Sequence, residues 1–114
     1  MSLIILIAIV IGWSSQPAAT ESEAFLSEMR GQEIATNRCA TCHSIGRAGE
    51  SPDREAPPFR AFAVTAPLLF EDPEMNRRMT LGHPVMPDFE MADQERADIT
   101  AYVRSLERPA DDFY

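Results

Sequence analysis

Apolar and polar positions divide the chain into stretches of distinct character. Leu3 to Ile11 is almost purely aliphatic. That run is shorter than the about 20 apolar residues a membrane span needs. It suits the core of a secretory leader, with Ser14 to Thr20, rich in Ser, Pro and Ala, as the processing zone. No Lys or Arg precedes the run, so residues 1–20 can also be read as a short retained anchor. From Ser22 to Asn37 the pattern predicts a helix with Phe25, Met29 and Ile34 toward one side. Gly31 in its interior costs about 1 kcal/mol relative to Ala, which predicts either a close helix crossing or a break. From Ser44 to Pro58 the composition turns to Gly, Pro, Ser and charge, and reads as loop.

Helical signals return further on. Thr65-Ala66-Pro67 predicts a short helix with Pro67 at its first position. Asp72-Pro73-Glu74 predicts another start, with Gly82 as its stop. Met75 and Met79, four apart inside that helix, are expected to face the core. His83 to Phe89, with two prolines, reads as loop, and Met91 as a staple before the last helix. That helix begins near Asp93. Its Ile99, Tyr102, Val103 and Leu106 follow the i, i+3, i+4, i+7 rule, and Pro109 ends it. No stretch alternates as a strand, so the expected class is all-α: one domain over residues 21–108 and a tail at 109–114.

Composition narrows the function classes. A chain of 114 residues suits one domain, and without its leader the core is marginal unless a large apolar cofactor adds interior. All ten basic residues are arginines. The net charge of -8 lies outside residues 1–20. Residues 86–114 hold eight acids against three arginines, whereas residues 40–85 hold six against five. An acidic chain without a basic run is a poor match for nucleic acid or an anionic membrane surface.

The string with chemistry is Cys39-Ala40-Thr41-Cys42-His43. Two thiols at this spacing can add across the two vinyl groups of one porphyrin edge, and the next residue brings an imidazole under the iron. Other readings fit less well. A thioredoxin-like pair would follow a strand, and here the preceding residues are helical. A zinc site from Cys39, Cys42, His43 and His83 would need adjacent Cys42 and His43 on one tetrahedral ion. A Cys39–Cys42 disulfide would close too small a loop to constrain the unfolded chain. The expected cofactor is haem c, one per chain.

Over about residues 25–107 the chain resembles the class I monohaem cytochromes c. The resemblance implies three to five short helices wrapped around one covalently bound haem, with the N- and C-terminal helices crossing. Gly31 matches the family's helix-crossing glycine and Tyr102 the aromatic it meets. Ala35 stands where the family often has an aromatic, which implies a looser crossing. Pro57, in Ala56-Pro57-Pro58-Phe59, matches the proline whose carbonyl accepts the haem histidine's other N–H, with Pro58 the neighbouring alternative. Phe59, Phe62, Leu68 and Leu69 would wall the haem. The only tryptophan, Trp13, lies in the leader, so Arg54 or Arg60 would serve the propionates. The implied iron ligands are His43 and Met86, the latter in Met86-Pro87-Asp88-Phe89, which resembles the family's Met-Pro-x-Phe loop. His83 is the rival sixth ligand.

These readings imply a single-electron carrier, not an enzyme, working between periplasmic or membrane redox partners and monomeric when free. Membrane contact would come only through an uncleaved leader or a membrane-complex partner. Two alternatives stand beside it: a cytochrome subunit of a larger oxidoreductase, and a haem enzyme or gas sensor with a labile sixth site.

Overall fold

The computed structural model describes residues 20–74, 77, 78, 86 and 90–109. The leader with Trp13, the methionines Met75 and Met79, Gly82, His83 and the tail from Ala110 lie outside the described residues. Three helices form: α1 (Glu21–Arg38), α2 (Phe59–Thr65) and α3 (Asp93–Ser105). Pro73, Glu74, Arg77 and Arg78 are also helical, and the described residues contain no strand. The chain is all-α, as its pattern predicts.

Local chemistry fixes each start. Thr20 closes a capping box with Glu23: its hydroxyl accepts from the Glu23 amide at 3.3 Å, and its own amide donates to Glu23 Oε2 at 3.0 Å. Ahead of α3, the Ala92 amide donates to Glu95 Oε2 at 3.0 Å. At the Asp72-Pro73-Glu74 signal, Asp72 Oδ1 accepts from the Glu74 amide at 2.8 Å, a cap of the expected kind.

Two expectations need correction. Thr65-Ala66-Pro67 stops a helix where a start was expected: α2 ends at Thr65, and residues 67–71 run as turns. The ring of Pro67 excludes the helical region for the residue before it, and Ala66 adopts φ -152°, ψ 60°. On α1, Phe25 and Met29 do not face the interior. They are 54% and 51% exposed, and the buried face is Gly31 and Ala35, with Ile34 packed partly against the core.

That small-residue face lets α1 and α3 cross closely. A Cβ built on Gly31 would lie 2.0 Å from the Asp98 carbonyl oxygen and 2.7 Å from Tyr102 Cβ, so only glycine fits. The crossing is tight at Gly31 even though Ala35 is small, and Ala35 is itself fully buried. Arg30 pairs with Asp98 and Arg38 with Glu95 across the helices, and Arg108 pairs with Glu28 just beyond them. Ile99, Tyr102 and Val103 of α3 then meet Phe59 and Ala63 of α2, and Phe70, in one core.

Candidate functional site

The cysteine motif winds directly out of α1. The Cys39 amide still bonds back to the Ala35 carbonyl at 2.9 Å, and the Cys39 carbonyl accepts from the amides of Cys42 (3.2 Å) and His43 (2.9 Å). One turn therefore carries both thiols and the imidazole. The 44–58 loop is pinned over this turn by three bonds: Asp53 amide to Cys42 carbonyl (3.0 Å), Phe59 amide to Ser44 carbonyl (2.9 Å), and Ser44 amide to Ser51 Oγ (2.9 Å). From the far side, the Tyr102 hydroxyl of α3 donates to the Ile45 carbonyl at 2.6 Å.

Within this frame His43 Nδ1 lies 2.7 Å from the Pro57 carbonyl oxygen. A carbonyl can only accept, so Nδ1 carries the hydrogen, and Nε2 is left with the lone pair available to a metal. Of the two neighbouring prolines, Pro57 makes this contact, while Pro58 caps α2 with extended backbone. The His43 ring stands 5.5 Å from Phe59 and 6.5 Å from Phe62, centroid to centroid. Phe59 and Phe62 both touch Phe70, at 6.0 and 6.3 Å. Phe70 is a site residue that sequence reasoning missed. The only signal was its place after Leu68-Leu69, in a turn without periodicity. Leu69 packs against the core, whereas Leu68 is half exposed.

The thiols differ from those of a dithiol redox centre. Both cysteines are free and half-buried, and burial pushes the Cys39 thiol up to about 11 against the pull of Arg38. A redox-active pair needs a depressed thiol pKa, so this environment disfavours that chemistry. Of the two arginines considered for a propionate, Arg60 is half-buried and donates to Ser44 Oγ at 3.2 Å, while Arg54 is exposed. Met86 is half-buried; the rest of its loop, and His83, lie outside the described residues. No group of three or more acidic, His or Cys side chains able to hold a metal ion occurs among the described residues.

The donor set of two thiols and one oriented imidazole, beside an aromatic cluster, is what a covalently attached haem requires, and these residues fit that group. The fold is all-helical, and its site has the residue types that hold a covalently attached haem. Residues 28–107 match the family model for cytochrome c, and the chain belongs to that family, whose members bind haem c covalently and carry electrons. It is 28% identical over 90 residues to cytochrome c-552 of Bradyrhizobium diazoefficiens, covering 78% of this chain and 85% of that protein. No solved structure matches significantly.

Proposed function

We propose that the chain is a single-electron carrier holding one haem c through Cys39 and Cys42, with His43 and Met86 as axial ligands. The observation that carries this reading is the 2.7 Å contact between His43 Nδ1 and the Pro57 carbonyl, on the turn that also presents both cysteines. When bound, the haem supplies a reversible one-electron couple. The protein's own work is positional. Pro57 holds the His43 ring in one tautomer and makes Nε2 a better donor. Phe59 and Phe62 flank the imidazole with apolar surface, backed by Phe70, which limits water access and reorganisation between oxidation states. Met86 would supply a soft thioether, which favours the reduced metal and implies a positive potential.

Within this reading residues 1–20 direct export, the carrier is periplasmic, and its partners are other redox proteins. The test is maturation in an exporting host. The purified protein should keep its colour through acid-acetone extraction and in denaturant, because two thioether bonds hold the porphyrin. Colourless protein with a Cys39–Cys42 disulfide would overturn the reading.

A further inference from the structure

The residues that follow the cysteine turn, Ser44-Ile45-Gly46-Arg47, form neither helix nor strand, so contacts from elsewhere in the chain place them. Ile45 packs partly against the core. At Gly46 packing gives no further hold, because a Cβ built there would meet nothing within 4 Å. Hydrogen bonds are left to fix the segment.

They come from the end of α3. A helix ends in carbonyls without amide partners and carries partial negative charge there. The Arg47 guanidinium, 58 to 61 positions away in sequence, donates to the carbonyls of Ser105 at 2.7 Å, Leu106 at 3.4 Å and Arg108. A planar guanidinium directs its donors in a fixed fork, which an ammonium does not. One turn earlier on α3, the Tyr102 hydroxyl donates to the Ile45 carbonyl at 2.6 Å. α3 therefore grips residues 45–47 twice, starting two positions after His43. Tyr102 also stands at the close crossing, where its Cβ would lie 2.7 Å from a Cβ on Gly31. One stretch of α3 is thus the common reference for α1, which delivers both cysteines, and for the backbone behind the imidazole.

The same segment is tied to the residues that orient the ring. The Ser44 carbonyl accepts from the Phe59 amide, two residues past Pro57, at 2.9 Å, and Ser44 Oγ accepts from Arg60 Nη1 at 3.2 Å. A shift at Ser44 and Ile45 therefore moves His43 relative to the Pro57 carbonyl that its Nδ1 contacts at 2.7 Å. We propose that Arg47 is a positioning residue for His43, a role that rests on the haem reading of the site. Its grip on the end of α3 fixes the backbone behind the imidazole and so keeps the Nδ1 hydrogen on Pro57. A firm bond at Nδ1 makes Nε2 a better donor and favours oxidised iron, so loosening it raises the reduction potential.

The test uses the haem-loaded full chain with Arg47→Gln, which removes both the charge and the fork. The reduction potential should rise, and NMR of the reduced protein should show the His43 Nδ1 hydrogen exchanging with solvent several-fold faster. Arg108→Gln is the control. It removes the same charge beside the same helix end, but the bond it breaks runs to Glu28 Oε2 at 2.7 Å. It should lower the denaturation midpoint and leave potential and exchange unchanged. Arg47→Lys keeps the charge without the fork, so both readouts should shift the same way by less. That variant decides the matter if Arg47→Gln does not mature. Unchanged readouts in the Arg47 variants, or equal shifts in Arg108→Gln, overturn the proposal. A natural chain without covalent haem would instead overturn the haem reading, and this role with it, before any variant is compared.

Discussion

At Gly31 the backbones of α1 and α3 approach so closely that a single methyl group has nowhere to go. The hypothetical Cβ meets backbone, the carbonyl oxygen and carbon of Asp98 at 2.0 and 2.6 Å, and backbone cannot swing aside as a long side chain can. Gly31→Ala gains about 1 kcal/mol of helix propensity. Forcing the helices apart should cost about 1–3 kcal/mol or more, so the net effect is destabilising. A lower denaturation midpoint checks this, and a raised one would show that the helices do not touch there. The neighbouring carboxylate has its own signature. Asp98 is 3% exposed and accepts from Ser27 Oγ (2.6 Å), Arg30 Nε (2.8 Å) and Nη2 (3.0 Å), and Gln94 Nε2 (2.9 Å). Burial pushes its pKa up, but the hydrogen bonds from Arg30, Ser27 and Gln94 outweigh burial and hold it below the ordinary value. A carboxyl with a depressed folded-state pKa stabilises the fold above its unfolded pKa, and that stability is lost as pH falls through the folded value. Asp98→Asn should therefore be less stable than the natural chain at pH 7, and the gap should narrow in acid. Chemical denaturation repeated between pH 7 and 3 measures it, and a constant gap would count against the ionised network.

Elements differ in how openly the sequence announces them. α1 was legible from its apolar spacing, though on the wrong face, and α3 because Ile99, Tyr102, Val103 and Leu106 repeat at helical spacing. The buried face of α1 was not legible. It consists of Gly31 and Ala35, which add almost nothing to a hydropathy pattern, so the eye goes to Phe25 and Met29. Around residue 67 a helix start was expected and α2 at 59–65 was not, because Pro67 can open a helix but also disfavours helix at Ala66, and here the second effect prevails. The cysteine turn was legible because covalent attachment demands a fixed spacing, whereas Asp98, polar yet buried, is chosen by tertiary contacts that no local pattern records. The proposed ligand loop around Met86 is the element that most needs experiment. Met86→Ala should raise binding of added cyanide or CO and lower the reduction potential, while His83→Ala should change neither. Spectroscopic titration and potentiometry read both, and the reverse ranking would make His83 the ligand.

Over the whole molecule, charge separates into regions with different uses. Of the five arginines between residues 40 and 85, Arg47 is committed to carbonyls at the end of α3, and Arg77 and Arg78 share Glu74 at 2.9 and 3.2 Å. Arg54 is exposed on the loop pinned over the cysteine turn. A nearly neutral, arginine-bearing surface would then meet the redox partner, with the acids of α3 turned away. Charges at the rim of an encounter surface act mainly on association rate and its salt dependence. Arg54→Glu or Arg77→Glu should slow electron transfer with the natural partner more than Asp111→Asn with Asp112→Asn. Stopped-flow rates across ionic strength decide the matter, and a dependence on the tail acids alone would place the docking surface there instead.

The α1–α3 crossing also sets a timetable. Its contacts join residues far apart in the chain: Ser27 and Asp98 are separated by 71 positions, Glu28 and Arg108 by 80. Chains emerge at about 5–20 residues per second, so the second half of this crossing follows the first by roughly 4 to 16 s. During that interval α1 has no partner to close against, and the motif at its end is already out. Cys39, sheltered in the finished fold, is then still open to water and to whatever delivers the cofactor. Emergence N-terminus first, from the ribosome or across a membrane, thus leaves Cys39 open until the core that holds Ile99 and Val103 packs against it.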